Sequence, residues 1–372
     1  MSLNPTSLIG RIFQNFGWLA ISLVLTTFPH ELAHALTARA LGWRVMRIII
    51  GTGRVVGRFE FIGFGWEWRI LPLSGVTLIA PRALRWFRTK QFMIVLAGPM
   101  TNGLMAAGTL IAARQLGWDF RPLSFSNGVE IFFLSNVIVM ITNLWPHQIK
   151  STVIPTASDG KQLIDTFLQT EQHRADRHAA RFAMEGLLCR EKRDFAAAQS
   201  WYEQGLAIYP NHLLILNCLG INQLDLGHYE AARATFLNLL ERQPTPGLMH
   251  YLLMNNVAYA DALSGNPELL DEALKFSQQA MDGAAWQPAV VGTRGAVLVA
   301  AGQLEEGIEL LQQSFRKTED NLGKAENACL IAIAEHRRHQ HAEACHYLNL
   351  ARKFDPKCPL LSRAEKVIGS SA

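Results

Sequence analysis

The chain has 372 residues, of which 49% are hydrophobic and 18% charged, with a formal net charge of +4. That length accommodates two or three domains, and so small a positive excess excludes the dense basic surface of a nucleic-acid binder. The composition is uneven. Seven of the nine tryptophans lie before residue 146, whereas all five cysteines (Cys189, Cys218, Cys329, Cys345, Cys358) lie after residue 188. The front reads as membrane and the back as soluble and helical. An odd number of scattered cysteines gives no disulfide framework and fits free thiols in a reducing cytosol.

The first apolar run extends from about Phe13 to Leu41, long enough for the roughly 20 residues a bilayer requires. It holds His30-Glu31-Leu32-Ala33-His34. The H-E-x-x-H spacing places His30 and His34 one helical turn apart on one face. Two neutral imidazoles so placed suit a zinc ion, and Glu31 suits a general base acting on zinc-bound water. A glutamate and two histidines at membrane depth are costly unless they have a task. The run leads into this motif instead of a small-residue cleavage site, and Arg11 is the sole basic residue before it, so it does not read as a secretory signal.

From Val45 to Phe64, β-branched and aromatic residues punctuated by glycines predict hairpin strands, and Ile70–Val76 reads as an interfacial run. The plain alternative is a cytosolic β-loop with no role. Two more spans follow, at about Phe92–Ala112 and Val129–Trp145. Nine arginines and lysines lie between spans one and two, and only Arg114 and Arg121 lie between spans two and three. The positive-inside bias then places 43–91 in the cytosol, the N-terminus outside and everything after span three in the cytosol.

A catalytic zinc takes three protein ligands and leaves one position open. The membrane half has no cysteine, and its other histidine is His147. Of its acids, Asp119 and Glu130 fall on or near the outer loop and Glu60 and Glu67 in the hairpin, which leaves Asp159 of Ser158-Asp159-Gly160. With zinc, Asp159 and Glu31 make a nearly neutral cluster, which is cheaper to bury than bare charge. An Asp-Gly pair is also a plain turn signal, so the spacing leaves the third ligand open.

Three segments together resemble the site-2 protease family of intramembrane metalloproteases. They are His30-Glu31-Leu-Ala-His34 with Gly42 following, Ala97-Gly98-Pro99-Met-Thr-Asn102, and Asn143-Leu-Trp-Pro146 followed by Asp159-Gly160. Their order is that of the family, and the likeness covers about residues 10–170. It implies zinc held by His30, His34 and Asp159, water activated by Glu31, and substrate bound by Asn143 and Asn102. One departure is the stretch from Gln148 to Ser158, longer than the family's. Asp159 must fold back to reach the histidines, which keeps His147 as an alternative ligand. Gly98, Gly103 and Asn102 also have a plain reading as helix-packing residues.

From about residue 179 the chain repeats. Pro210 and Pro244, Phe195 and Tyr229, Gly186 and Gly220, Ala198 and Ala232, and Tyr202 and Phe236 are each 34 residues apart. That period, with small residues at helix crossings, is the tetratricopeptide signature. Five repeats are expected, with Gly227 and Gly302 at inter-helix turns. The segment Gln162–Arg181 reads as an amphipathic helix. The histidines 336, 339, 341 and 346 with Cys345 read as a solvated repeat surface.

The expected fold is mostly α: a multi-pass membrane core with a hairpin-rich cytosolic segment over 1–160, a linker helix over 161–178, and an α-solenoid over 179–372. The expected activity is intramembrane zinc proteolysis in a membrane of the bacterial inner-membrane type. The expected partners are the lipid bilayer, a transmembrane protein substrate and a protein on the repeats, with no nucleic acid. The alternative is a membrane-anchored repeat adaptor that keeps a metal site without proteolysis. The intact Glu31 favours the enzyme, because a scaffold needs no base beside its ligands.

Overall fold

The structure is a computed structural model that describes residues 5–118, 120–121, 125, 127–149, 156–243 and 245–369. Asp119 and Pro244, weighed above, lie outside the described residues. The chain divides into two compact units, Met1–Arg181 and Phe182–Ala372.

The first unit is built on three apolar helices, α1 (Pro5–Ala40), α2 (Phe87–Gln115) and α3 (Gly128–Leu144). Two stretches, Phe13–Ala40 and Phe87–Gln115, are long and apolar enough to cross a membrane. The third expected span corresponds to α3, which has 17 residues. At 1.5 Å per residue it covers about 26 Å, a little less than the roughly 30 Å of a hydrocarbon core. Asn127 starts α3 by accepting hydrogen bonds from the backbone of Val129 and Glu130, which satisfies two of the helix's orphan donors.

Between α1 and α2 lies an antiparallel hairpin, β1 (Arg44–Phe61) and β2 (Phe64–Ala80). Ile62 and Gly63, both at positive φ, make its two-residue turn. The ribbon bends over on itself. Ile48, Ile49 and Ile50 face Trp66, Glu67 and Trp68, and also Thr77, Val76 and Gly75. The stretch Ile70–Val76, expected at the interface, is therefore part of β2. Trp66 stacks on Phe28 of α1 at 4.7 Å between ring centres, and Ile48, Ile50 and Phe64 join the same core. Glu67 is buried in the ribbon among the guanidinium groups of Arg47, Arg58 and Arg69. Burial works against its charge, but the hydrogen bonds from Arg58 and Arg69 win and hold its carboxyl below the usual range.

After α3 a short ladder of β3 (Gln148–Ile149) and β4 (Thr156–Ala157) leads into α4 (Asp159–Leu168). The amphipathic helix expected over Gln162–Arg181 is two helices. The chain breaks at Gln169–Thr170 and resumes as α5 (Glu171–Glu191). Phe167 of α4 packs on Phe92 of α2 at 5.8 Å.

The second unit consists of antiparallel helices. The end of α5 packs on α6 (Phe195–Ile208), and then come α7 (Leu213–Asp225) with α8 (Tyr229–Arg242) and α9 (Leu248–Ser264) with α10 (Leu270–Ala284). The pairs α11 (Pro288–Ala300) with α12 (Leu304–Lys317) and α13 (Asn321–Arg337) with α14 (His341–Phe354) follow, and α15 (Leu361–Gly369) closes the array. The 34-residue period has a direct physical origin. Gly186 lies against the buried ring of Tyr202, and Gly220 lies against that of Phe236, so an added Cβ would run into either ring. Gly295 meets Leu311 in the same way. Each glycine lets an aromatic or leucine side chain of the second helix seat on the backbone of the first. Gly227 and Gly302 occupy the expected turns at positive φ. His336 and His341 lie edge to face at 5.2 Å, but neither belongs to a group of metal-competent donors among the described residues.

Overpacking at such a seat typically costs about 1–3 kcal/mol. Gly220→Val, which drives a methyl into Phe236, is expected to lower the melting temperature of the repeat unit by roughly 2–10 °C. Circular dichroism of the full chain measures this, and an unchanged melt would refute the seating.

Candidate metal centre

His30, Glu31 and His34 occupy the middle of α1 and are buried. Their helical spacing brings the two rings together, with Nε2 of His30 and Nε2 of His34 3.1 Å apart. The outer nitrogens are both held by α2. Nδ1 of His34 lies 2.7 Å from the carbonyl oxygen of Ile94, and Nδ1 of His30 lies 2.5 Å from Oδ1 of Asn102. Asn102 gives its amide hydrogens to the Thr26 carbonyl and to Oδ1 of Asn136, so its oxygen must accept from His30. Each Nδ1 therefore carries the hydrogen, and each Nε2 turns a lone pair toward the centre.

The carboxylate of Asp159 completes the group. Its Oδ2 is 3.1 Å from Nε2 of His30, and its Oδ1 is 3.6 Å from Nε2 of His34. These donors lie within 4.8 Å of one another. With metal–ligand bonds near 2.0–2.1 Å, the edges of a zinc tetrahedron are about 3.3 Å long, so the separations suit one ion.

Two further observations fit a metal. Oδ2 of Asp159 is buried and accepts no hydrogen bond from the described residues. Gly98 of α2 also faces both imidazoles, and a Cβ there would collide with each Nε2. The α2 backbone thus backs the cluster, with no side chain intruding. Gly103, in contrast, packs toward Met140 of α3.

The long connection before Asp159 is taken up by the β3–β4 ladder. The backbone N–H of Ser158 donates to the carbonyl of His147, and the Ser158 hydroxyl donates to the carbonyl of Trp145 at 2.7 Å. The chain is thus returned to the end of α3. Ser158 also caps α4 by accepting from the Lys161 N–H. Gly160, read from the sequence as a turn residue, lies in the first turn of α4. A Cβ there would overlap the carbonyl of Leu144, so glycine is what lets α4 abut α3.

The other candidates lie elsewhere. His147 is exposed and bonds the Trp145 carbonyl through Nδ1 at 2.8 Å. Glu67 is enclosed by arginines, and Glu130 accepts from the backbone of Arg121. Asn143 is half-buried near the end of α3, and its amide has no partner among the described residues. Asn102 does not stand where a substrate-binding group should. It is 0% exposed and fully engaged in orienting His30.

Glu31 is reached from the hairpin. The Thr77 hydroxyl donates to Oε2 at 2.6 Å and also lies 3.0 Å from the Glu31 carbonyl. Gly75 lies directly over the carboxylate, where a Cβ would stand 2.5 Å from Oε1. Sequence reasoning missed Thr77, Gly75, Ile94 and Asn136. Only the break of the apolar run at Ser74-Gly75 hinted at the first two.

The model of peptidase family M50 matches residues 18–324. None of the curated proteins compared matches the chain. A thermophilic TPR protein from Thermus thermophilus is 20% identical with a TM-score of 0.41, over 51% of this chain and 98% of its own. MamA from Desulfovibrio magneticus is 17% identical with a TM-score of 0.33, over 50% and 96%. A putative kinesin light chain from Podospora anserina, with nearly identical TPR-like repeats, is 17% identical with a TM-score of 0.35, over 49% and 97%. The family match spans well over half of the 372 residues and includes every residue of the site just described, so this chain belongs to peptidase family M50, the site-2 protease family of metallopeptidases.

Proposed function

We propose that the chain is an intramembrane zinc metalloendopeptidase, cutting a peptide bond in or near the transmembrane segment of a membrane protein. The observation that carries this reading is the convergence of His30, His34 and Asp159 on one point, beside Glu31, within a bundle of apolar helices. Large apolar side chains are exposed along α1 (Phe13, Phe16, Leu25) and α2 (Met100, Leu104, Ile111). Such a girdle suits lipid and is a liability in water. The arginines of the hairpin support a cytosolic position for it, with the N-terminus outside and the repeats in the cytosol.

His30, His34 and Asp159 would hold zinc, which when bound supplies Lewis acidity to a peptide carbonyl and to water. Glu31 is the proton carrier. Thr77 fixes one carboxylate oxygen, and the other, over Gly75, is placed to take a proton and pass it to the leaving amine. Among the described residues, 75–80 of β2 pair on one side only, with 44–50 of β1. A substrate stretch added to that edge would lie extended next to Glu31. Asn143, with its amide unengaged, suits the substrate backbone. A catalytically silent adaptor has no use for a carboxylate oriented in this way.

Purified chain is expected to carry about one zinc per molecule by plasma mass spectrometry. Gly160→Val removes no donor but pushes α4 off α3, and is expected to lose most of that zinc. Asn102→Ala leaves His30 unsupported and should weaken zinc retention about 10–100-fold. Full zinc in both variants would overturn the metal assignment.

Glu31→Gln, co-expressed with single-span reporters, should slow cleavage by about 10²–10⁴-fold while zinc stays in place. Equal processing by wild type and Glu31→Gln would favour the adaptor. Glycine or proline substituted into the reporter's transmembrane helix should speed cleavage, because carbonyls tied in i→i−4 bonds must be released before attack. Indifference to these substitutions would count against an extended bound substrate.

A further inference from the structure

In the second unit, the first helices of successive pairs line a groove of about 620 Å³. Its walls hold four acids, Asp225, Glu319, Asp320 and Glu326, and two bases, Arg190 and Lys317. Most of these are engaged or peripheral. Asp225 is taken by Arg190. Asp320 caps α13 by accepting from the Gly323 N–H at 2.8 Å. Lys317 and Glu319 are exposed. Glu326 differs, because it is half-buried on α13 and has no hydrogen bond or ion pair among the described residues.

Leaving a carboxylate unpaired in such a place is costly. Burial raises the Glu326 carboxyl well above its ordinary value, and the nearby Asp225, Cys358 and Asp320 raise it further, outweighing the opposite pull of Arg190, which is already bonded to Asp225. A cation entering the groove would relieve this. A second observation comes from α9. Asn255 is 6% exposed and lines the same groove. It spends a hydrogen on Oδ1 of Asn256 at 3.2 Å, but its own Oδ1 is buried without any partner. A buried acceptor without a donor is rare, and a peptide N–H is the donor that suits it.

We propose that this groove binds an extended polypeptide segment, with a lysine or arginine side chain paired to Glu326 and a backbone N–H given to Asn255. Arginines and lysines concentrate in the cytosolic flanks of transmembrane segments. The occupant is therefore the basic juxtamembrane tail of a membrane protein. This choice of source rests on the cytosolic position of the repeats proposed above; the charge and donor preferences do not.

The test uses the full chain in lipid nanodiscs and fluorescein-labelled peptides read by anisotropy. One peptide has three Ser-Leu-Lys-Gly repeats with both ends blocked, and its partners carry glutamine or glutamate in place of lysine. The lysine peptide is expected to bind at least tenfold more tightly than the glutamine peptide. Glu326→Gln should cut that ratio below twofold, and Glu326→Lys should invert the preference toward the glutamate peptide. Asn255→Ala should weaken the lysine and glutamine peptides alike. Circular dichroism of each variant checks that the repeats remain folded. Equal binding of the lysine and glutamine peptides, an undiminished preference in Glu326→Gln, or no binding at all would overturn the proposal. Glu31→Gln serves as the separating control. If neither it nor the wild type cleaves a reporter while the lysine preference persists, the protease reading fails and the groove stands; cleavage without the preference gives the reverse.

Discussion

The acceptor atoms of three residues, two imidazole nitrogens and the two oxygens of one carboxylate, face one another at 3.1–3.6 Å and call for a positive charge among them in a protein interior. The rest of the first unit is arranged to hold those atoms in that unfavourable position. The helix α1 supplies both imidazoles by spacing alone. The helix α2 takes their outer nitrogens with a carbonyl and a carboxamide, which fixes the rings and points both lone pairs inward. The helix α3 steadies that carboxamide through Asn136 and provides the end against which α4 delivers Asp159. Loss of α1 removes both imidazoles, and loss of α2 or α3 removes the bonds that orient them.

The groups that orient His30 carry no charge. The chain from His30 through Asn102 to Asn136 and Thr26 is made of neutral amides and carbonyls, so the rings are oriented without adding charge to the interior. The charged groups of the cluster, Asp159 and Glu31, are those a divalent ion balances. Acids that would upset the count are engaged elsewhere, Glu67 by three arginines and Glu130 by a backbone N–H. Glu326 in the repeats differs, a half-buried acid with no hydrogen bond or ion pair among the described residues.

What the sequence revealed depended on how far each signal travels along the chain. His30, Glu31 and His34 are legible because an α-helix sets positions i and i+4 together without help. The repeat period is legible because the Gly186–Tyr202 and Gly220–Phe236 seats recur at a fixed interval. Asp159 stood open against His147, because its return depends on a two-residue ladder and on the absence of a Cβ at Gly160. Neither has a signature by itself. Thr77 was hidden in an apolar strand, where a threonine reads as β-propensity. Asn102 was visible in its motif but assigned the wrong neighbour, since nothing local says whether a carboxamide faces a substrate or a ring nitrogen. The break at Gln169–Thr170 also went unread, because an amphipathic pattern continues across it.

Two buried carboxylates beside the same pair of histidines need a reason to do different things, and their surroundings provide one. Asp159 begins α4, where the helix dipole favours a fixed negative charge. Its Oδ2 has no donor, so the lone pairs there are available only to a cation. Glu31 is mid-helix, gains nothing from a dipole, and has one oxygen held by a hydroxyl that can itself rotate or be replaced by water. Its other oxygen faces a glycine, which leaves room for a reacting group. The first arrangement suits a ligand that never changes protonation and the second suits a group that must change it twice per turnover. Paired carboxyl groups divide labour through environment in this way. The hairpin that supplies Thr77 and Gly75 therefore sets the surroundings of Glu31, while the helices α1 to α4 bring His30, His34 and Asp159 together.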